Sequence, residues 1–473
     1  MDNPRIHFVV DTDQASSRFS PTLGIGYLSS YVKRELPNAS TSLSYRDEDI
    51  VADIERHKPD IIGLSCTSRY FSDFRKLSDA LQERFGIPIL WGGTHISLAP
   101  NALPASSELA VIGEGEQTLV EILRNFQDRS FQDMENIHGI AYRRGGKIRF
   151  NPKRPLITPL DNIPMPDTSL LRVQWDKNHR AVMMTSRGCP CKCRFCASSK
   201  FWDRTRLFCP EYVVGEMVHL SRRFGVREIL IYDDFFTVNK DRIRKITQLA
   251  KDRPELKKMR FEILSRADHF DDAMADHLRE LGVYRISFGI ESGNQKTLDY
   301  LKNGSLRVEE AEQAIRIAKS NKFEIAGSFI IGSPYESADE IEDTFRFIRK
   351  LNLDAVQITV ATPFPGTLMW EDGKASGVIA SDEWSDEYYV MYGFSPEQTP
   401  DNLLEGKKLL TGIERGEFLG LVEKALDIMY KTTYSPRNIV KMIASNLVSR
   451  PLSLPLSITR GALQHMRRIV GMS

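Results

Sequence analysis

The chain has 473 residues, of which 27% are charged and 41% hydrophobic, and its formal net charge is +1. This length exceeds what one ordinary hydrophobic core needs, so two or three domains are expected. The near-neutral balance excludes a globally basic nucleic-acid-binding protein. The apolar run near the N-terminus is too short for a signal peptide, and no stretch approaches a membrane span, so we expect a cytoplasmic protein with reduced thiols.

The first part of the chain alternates short apolar runs with helical patterns. The runs that read as buried parallel strands begin at residues 5, 61, 87 and 109, with the sequences RIHFVV, IIGLSC, IPILWGG and LAVIGEGE. Strand–helix alternation predicts a doubly wound, Rossmann-like α/β domain over residues 1–140. A hairpin signal and a proline-rich connector then predict a linker over residues 141–175.

A second α/β series is predicted over residues 176–375. Its apolar runs are AVMMTS, REILIYDD, RFEILSR, YRISFGIES, EIAGSFIIGSP and DAVQITVATP. About six βα units are enough for a partial TIM-type (β/α)6 barrel, in which reacting groups lie in loops at the carboxyl ends of the strands. Residues 376–473 read as a mostly helical C-terminal region.

Four of the six cysteines stand in one short loop, CPCKCRFC at residues 189–196, directly after the first strand of the second series. A structural zinc site is one interpretation, but such sites usually close a tetrahedron with two separated cysteine pairs, and no second pair lies nearby. Because thiolates also hold iron–sulfur clusters, such a cluster fits this spacing better.

The spacing C-x-x-x-C-x-x-C with an aromatic residue before the last cysteine resembles the radical S-adenosylmethionine (SAM) superfamily. The resemblance implies that Cys189, Cys193 and Cys196 are catalytic ligands of a [4Fe–4S] cluster and that Phe195 lies at the SAM site. The open fourth iron would bind SAM, and one electron, from a flavodoxin- or ferredoxin-type donor, would cleave SAM to a 5′-deoxyadenosyl radical. Cys191 departs from the family pattern and is expected beside the cluster.

Two polar strand ends resemble segments that bind SAM in this family. Asp233 and Asp234, in IYDDFF, stand where the family places a motif for the SAM amino group. The alternative is that they cap the next helix. Arg266, in SRAD, would meet the SAM carboxylate or would be an exposed arginine at the start of a helix.

Two later strands carry further resemblance. In SFGIESGNQKTLDYLKNG, Glu291 and Ser292 would lie near the SAM ribose. In GSFIIGSPYES, Gly332 would let the backbone approach the adenine, although Gly332 with its neighbours could form only a turn.

The first domain resembles that of radical SAM enzymes with an N-terminal cobalamin (B12)-binding domain. Four segments carry this resemblance in order, SPTLGIGYLSSYVKRE, KPDIIGLSC, WGGTHISLAPNAL and VIGEGEQTLVEIL. It implies that Thr94, Gly113 and Glu114 face a cobalamin crevice at the strand ends. A D-x-H-x-x-G motif is absent. Members of this class commonly lack the histidine, and some such domains bind no cobalamin.

The resemblance implies hydrogen abstraction from an unactivated carbon of a small molecule, with a weak preference for a hydrophobic one, followed by methyl transfer from methylcobalamin. Oxidative cyclisation or rearrangement without methyl transfer is the alternative within enzymes. An iron–sulfur electron carrier or a cobalamin-binding sensor is the alternative outside them. Residues 429–473 contain seven Lys or Arg and no Asp or Glu. They read as a docked helical tail or as a contact for an anionic membrane.

Overall fold

The computed structural model describes residues 4–17, 22–128, 130–173, 175, 179–390, 403–436 and 438. These residues form two units. The first contains the chain up to Trp175 together with residues 200–212 and 381–386, and the second contains the rest. Most of the basic segment 429–473 lies outside the described residues, and so does its expected helical or membrane-binding role.

The first unit is built on a seven-stranded sheet with the order β2-β1-β3-β4-β5-β8-β9. Its strands are β1 (Arg5–Val10), β2 (Ser40–Tyr45), β3 (Ile61–Ser65), β4 (Ile89–Gly92), β5 (Leu109–Val111), β8 (Ile140–Arg144) and β9 (Lys147–Phe150). Strands β1 to β5 run parallel, whereas β8 and β9 are antiparallel and form the hairpin that the linker sequence predicts. The four predicted buried strands and the doubly wound α/β class are therefore confirmed.

All but the last of the helices of this unit lie between parallel strands, as crossover connections require, and the last lies between β5 and the antiparallel hairpin. They are α1 (Gln14–Ser17), α2 (Leu23–Glu35), α3 (Ile50–His57), α4 (Phe71–Phe85), α5 (Thr94–Leu98) and α6 (Glu116–Arg124). A separate antiparallel pair, β6 (Phe126–Gln127) and β7 (Ser130–Phe131), follows α6.

Strand β2 was not predicted, because its sequence STSLSY lacks an apolar run. It lies at the edge of the sheet beside β1. The hydroxyls of Ser42 and Ser44 lie 2.8 and 2.9 Å from the two ring nitrogens of His7, which is fully buried. Burial lowers the pKa of His7 to about 4, so the ring is neutral at pH 7. The buried His7 thus provides hydrogen-bond partners for the serines of β2, a strand that its polar sequence does not predict.

The strand order 2-1-3-4-5 places a topological switch point between β1 and β3, where doubly wound folds bind ligands at the carboxyl ends of the strands. Asp11 follows β1 and accepts hydrogen bonds from the backbone N–H and the hydroxyl of Thr67, which follows β3, both at 2.6 Å. These hydrogen bonds join the two loops that leave the strands on either side of the switch point.

The second unit is built on a six-stranded, all-parallel sheet in sequence order. Its strands are β10 (Arg180–Met183), β13 (Glu228–Ile231), β14 (Arg260–Ser265), β15 (Val283–Glu291), β16 (Glu324–Ile331) and β17 (Ala355–Val360). Strands β10 and β17 form the two edges, so this is the partial barrel that the sequence predicts. Two short strands, β11 (Ser186–Arg187) and β12 (Arg206–Leu207), lie outside the two large sheets.

Helices alternate with the barrel strands and bury apolar faces against them. They are α7 (Ser198–Phe201), α8 (Pro210–Phe224), α9 (Lys240–Lys251), α10 (Asp272–Leu281), α11 (Gln295–Lys302), α12 (Val308–Ser320), α13 (Ala338–Leu351), α14 (Leu368–Ala375) and α15 (Arg415–Thr433). Their ends follow capping rules. Asp271 accepts from the N–H of Met274 at the start of α10, and Gly282, with φ +98°, ends it. Within the described parts of the chain, no helix is long and apolar enough to cross a bilayer.

Candidate functional site

The cysteine loop begins at the carboxyl end of β10, and a buried carboxylate fixes its start. Asp233, which follows β13, is 1% exposed. It accepts hydrogen bonds from the backbone N–H groups of Thr185 and Ser186, at 2.5 and 3.1 Å, and from the Thr185 hydroxyl at 2.5 Å. Arg242 donates to the Thr185 carbonyl at 2.6 Å. Asp233 therefore orients the chain that enters the loop, and its contact with SAM stays a prediction.

The neighbouring carboxylate, Asp234, is exposed and reaches the cysteine loop itself. It accepts a hydrogen bond from the Ser198 hydroxyl at 2.6 Å and another from the backbone N–H of Gly188. Asp234 is therefore the member of the predicted pair that a ligand at the loop could still contact.

A second clamp holds the middle of the loop. The backbone N–H of Arg194 donates to the Leu301 carbonyl at 2.9 Å, and its carbonyl accepts from the Met369 N–H at 3.0 Å. Its guanidinium donates to Asp372 at 2.7 and 2.8 Å, and the Tyr300 hydroxyl donates to the same carboxylate at 2.6 Å. Helices α11 and α14 thus fix the backbone between Cys193 and Cys196. The adjacent Phe195 packs on the apolar cluster that contains Leu301 and Met369.

The thiols differ in exposure and charge environment. Cys193 is buried, whereas Cys189, Cys191 and Cys196 are half-buried. A hydrogen bond between Cys189 and Cys191 raises the pKa of Cys189 and lowers that of Cys191 to about 7, with help from the nearby Arg266 cation. Burial raises the pKa of Cys196. The nearby groups therefore favour a thiolate at Cys191 over one at Cys189 or Cys196.

The donor set fits an iron–sulfur cluster by its chemistry, because soft thiolates are the usual cluster ligands. Arg266 donates from Nη1 to the Sγ of Cys193 at 3.4 Å. Among the residues that the structure describes, no three His, Cys, Asp or Glu side chains come together closely enough to hold a single metal ion. Cys189, Cys193 and Cys196 remain the predicted ligands.

A buried ion pair beside the loop was missed by sequence reasoning. The Nζ of Lys302 lies 2.9 Å from Oε1 of Glu291, and the two side chains are 4% and 9% exposed. The same ammonium lies 6.0 Å from the ring centroid of Phe195. Glu291 has φ +74°, and a Cβ at Gly289 would lie 2.7 Å from its carboxylate. The sequence did not predict a role for Lys302, because a lysine at the end of a helix usually only complements the helix dipole.

The remaining residues predicted at the SAM site support local structure. The Ser292 hydroxyl lies 3.0 Å from that of Thr344 and accepts from the Asn294 N–H at 3.1 Å. Gly332 has φ +76°, and a Cβ there would lie 2.6 Å from the ring of Phe418 on α15. The close approach that requires this glycine is thus to a helix, and contact of Ser292 or Gly332 with SAM stays a prediction.

In the first unit, the last residue of β4 and the loop after β5 leave backbone open to a ligand. A Cβ at Gly92 or at Gly113 would meet nothing within 4 Å, and Gly113 has φ +80°. Thr94, the first residue of α5, is exposed. Ser97 joins the two loops, since its hydroxyl accepts from the Gly113 N–H at 3.0 Å and donates to the Gly93 carbonyl at 2.7 Å. These open backbones fit the approach of a large flat cofactor.

Glu114 has a different setting from its neighbour Gly113. Its carboxylate is held by both terminal nitrogens of Arg206, at 3.0 and 2.9 Å, and the two side chains are 5% and 6% exposed. It also accepts from the backbone N–H of Ile157 at 2.9 Å. Glu114 therefore secures the connector and the segment 200–212 within the first unit.

Cys209, which lies in that segment, accepts a hydrogen bond from the N–H of Tyr212 at 3.3 Å and so caps the start of α8. Cys66, the remaining cysteine, is buried beside the end of β3.

Comparisons with known proteins agree with the fold and the loop. The model of the radical SAM superfamily matches residues 183–348, and that of the B12-binding domain matches residues 18–123. An uncharacterised methyltransferase of Pyrococcus horikoshii is 33% identical over 379 residues, which cover 77% of this chain and 81% of the relative. The anaerobic magnesium-protoporphyrin IX monomethyl ester cyclase of Rubrivivax gelatinosus is 28% identical, with 74% of this chain and 66% of the relative covered.

Two solved structures share the fold at low sequence identity. The radical SAM methyltransferase TsrM from Kitasatospora setae has a TM-score of 0.71 at 14% identity and covers 92% of this chain and 90% of its own. The cobalamin-dependent SAM radical enzyme OxsB has a TM-score of 0.71 at 17% identity and covers 98% and 71%. The fold and the cysteine loop define a radical SAM enzyme. With its B12-binding domain, the chain belongs to the cobalamin-dependent members of that superfamily, whose cofactors are a [4Fe–4S] cluster, SAM and cobalamin.

Proposed function

We propose that this enzyme is a cobalamin-dependent radical SAM methyltransferase that methylates an unactivated carbon of a small molecule. The observation that carries the proposal is the clamped loop with the three predicted ligand cysteines at the barrel's carboxyl end, in a chain 33% identical to a methyltransferase along most of both lengths. When bound, the cluster and SAM supply a 5′-deoxyadenosyl radical, and methylcobalamin supplies the methyl group. A small flavodoxin- or ferredoxin-type protein in the cytoplasm would supply the electrons.

The chain's own residues position the reactants. Cys189, Cys193 and Cys196 would hold the cluster, on a loop that Asp233 orients at its start and Asp372 holds through Arg194. One anchor before Cys189 and one between Cys193 and Cys196 keep the three predicted ligand sulfurs in fixed relation, which a shared cluster requires. Burial of Cys193 excludes water from the centre of the loop.

Asp234 would contact SAM through its exposed carboxylate. Thr94 and Gly113 would contact cobalamin, because both follow strand ends of the first unit, where Thr94 is exposed and the backbone of Gly113 is open. Glu114 would act only by securing its own loop, since Arg206 already neutralises its charge.

The proposal is tested on protein reconstituted without oxygen in the presence of iron, sulfide and hydroxocobalamin. Corrin content is measured first. SAM with a deuterated methyl group and dithionite are then added, and 5′-deoxyadenosine and deuterated methylcobalamin are quantified. Corrin bound in stoichiometric amount, with both products formed, is the expected result. Absence of deoxyadenosine would show that the cysteines serve another purpose.

The Cys193→Ala variant should lose the cluster absorbance and deoxyadenosine formation, because one of three ligands is removed. Cys209→Ser is the matched control, since its hydroxyl can keep the cap on α8. It should form deoxyadenosine at the wild-type rate. Equal deoxyadenosine from Cys193→Ala and wild type would exclude the ligand assignment.

Oxidative cyclisation is the second candidate, favoured by the similarity to the cyclase of Rubrivivax gelatinosus. Deoxyadenosine formation without bound corrin or methylated cobalamin would favour this reaction over methyl transfer.

A further inference from the structure

Arg266 is locked in place at the carboxyl end of β14. The residue is 6% exposed. Its Nε and Nη2 donate to the two oxygens of Asp268 at 2.9 and 2.7 Å, and Nη2 also donates to the Ser305 hydroxyl at 2.9 Å. The planar guanidinium therefore has one edge bound in a fork that permits little rotation.

The remaining nitrogen of Arg266 points at the cysteine loop. Nη1 donates to Sγ of Cys193 at 3.4 Å, a distance within the range for a hydrogen bond to sulfur. Nε and Nη2 already donate to Asp268, and the other proton of Nη2 is directed at Ser305. No pair of neighbouring N–H groups is therefore left to bind a second carboxylate through both of its oxygens. This arrangement disfavours the role that the sequence predicted for Arg266, which was to bind the carboxylate of SAM.

A donor to a ligand sulfur has a direct effect on redox chemistry. Reduction adds one electron to a centre that already carries the charge of three thiolates. A hydrogen bond and a positive charge at a sulfur stabilise the reduced form more than the oxidised form. Lys302 adds a second buried cation near the loop, although Glu291 pairs with it.

We propose that Arg266 sets the reduction potential of the cluster through its hydrogen bond to Cys193 and that it is not the ligand of the SAM carboxylate. The inference rests on the proposed ligation of the cluster by Cys193. Arg266 is a positioning residue in this role, since it acts through the sulfur, and Asp268 and Ser305 hold it at the required orientation.

The test is a redox titration of the reconstituted full-length enzyme with dithionite, without SAM. The electron paramagnetic resonance signal of the reduced cluster is measured at each potential. Arg266→Met should lower the ratio of reduced to oxidised cluster at least tenfold at a fixed solution potential, which for one electron is a shift of about 59 mV. Arg180→Met is the matched control. It removes an arginine at the opposite end of β10, where Arg180 pairs with Glu228 and Glu262, and should leave the potential unchanged.

Ser305→Ala provides a second variant, because it keeps the arginine and its charge and removes only one anchor. It should shift the potential in the same direction by a smaller amount. If Arg266→Met does not assemble a cluster, an unchanged potential in Ser305→Ala overturns the inference and a lowered potential supports it.

SAM affinity, measured by equilibrium binding to the oxidised cluster, separates the two roles of Arg266. A lowered potential in Arg266→Met with SAM affinity unchanged is the expected result. An unchanged potential, or a loss of SAM binding in this variant, would overturn the inference alone. Failure of the unsubstituted enzyme to assemble any cluster would overturn the proposed function and the inference with it.

Discussion

The buried ion pair between Arg206 and Glu114 allows a quantitative test of what holds the first unit together. Its side chains are 6% and 5% exposed, the carboxylate is bound at both oxygens, and Arg206 also donates to the Ile157 carbonyl at 2.8 Å. Removing one partner of such a pair costs about 3–5 kcal/mol, because the other charge stays buried without its counter-ion. Arg206→Met should therefore destabilise the part of the first unit around Glu114 by about 3 kcal/mol.

Hydrogen exchange measured by mass spectrometry is the suitable assay, because it reports local opening in a chain of two units. Amides of β5, α6 and the connector around Ile157 should exchange roughly a hundredfold faster in Arg206→Met, since each 1.4 kcal/mol corresponds to a factor of ten. The double variant Glu114→Gln with Arg206→Met removes both charges and should recover most of the protection. If the single variant changes exchange by only a few-fold, or if the double variant is as unprotected as the single one, the charge argument is wrong.

Two further predictions concern the second unit. Asp372→Ala removes the bidentate partner of Arg194 and should lower the free energy of unfolding by about 1.5–3 kcal/mol, the value of hydrogen bonds to charged groups. Iron content after reconstitution should fall, and iron content equal to that of the wild type would refute the clamp. Complete burial, with the nearby Asp233, raises the pKa of Glu216 to about 8. The folded protein thus holds a proton that the unfolded chain releases, and stability should fall between about pH 5 and pH 8. Glu216→Gln should flatten this slope in thermal melts at pH 6 and pH 8, and equal slopes would refute the argument.

The sequence revealed the buried strands well. A parallel strand covered on both faces must be apolar along its whole length, and runs such as RIHFVV and REILIYDD show this without any partner. Strand β2 could not be predicted, because it is polar and its serines find their hydrogen-bond partner in His7 on the neighbouring strand. That pairing is a tertiary property, and no local pattern of β2 reports it.

In the candidate site, too, some features could be predicted from the sequence and others could not. The cysteine spacing is local, because all the predicted ligands of the cluster lie in a single loop, and so the sequence alone indicated the cofactor and the class of chemistry. The partners of the charged residues are not local. Glu114 is 92 residues from Arg206, and Arg266 is 73 residues from Cys193. A strand-end carboxylate or guanidinium looks equally available to a ligand until the fold shows which neighbour holds it.

Sequence by itself thus determined the order of the two α/β units, the loop that would carry the cluster and the cofactors of the family. Only the tertiary structure decided that Asp233 orients the loop, that Glu114 is neutralised, and that Arg266 faces a sulfur. The physical reason is that apolar periodicity and ligand spacing are local properties of the amino-acid sequence. The charge environment of a buried group, in contrast, is set by residues that meet only when the strands are assembled.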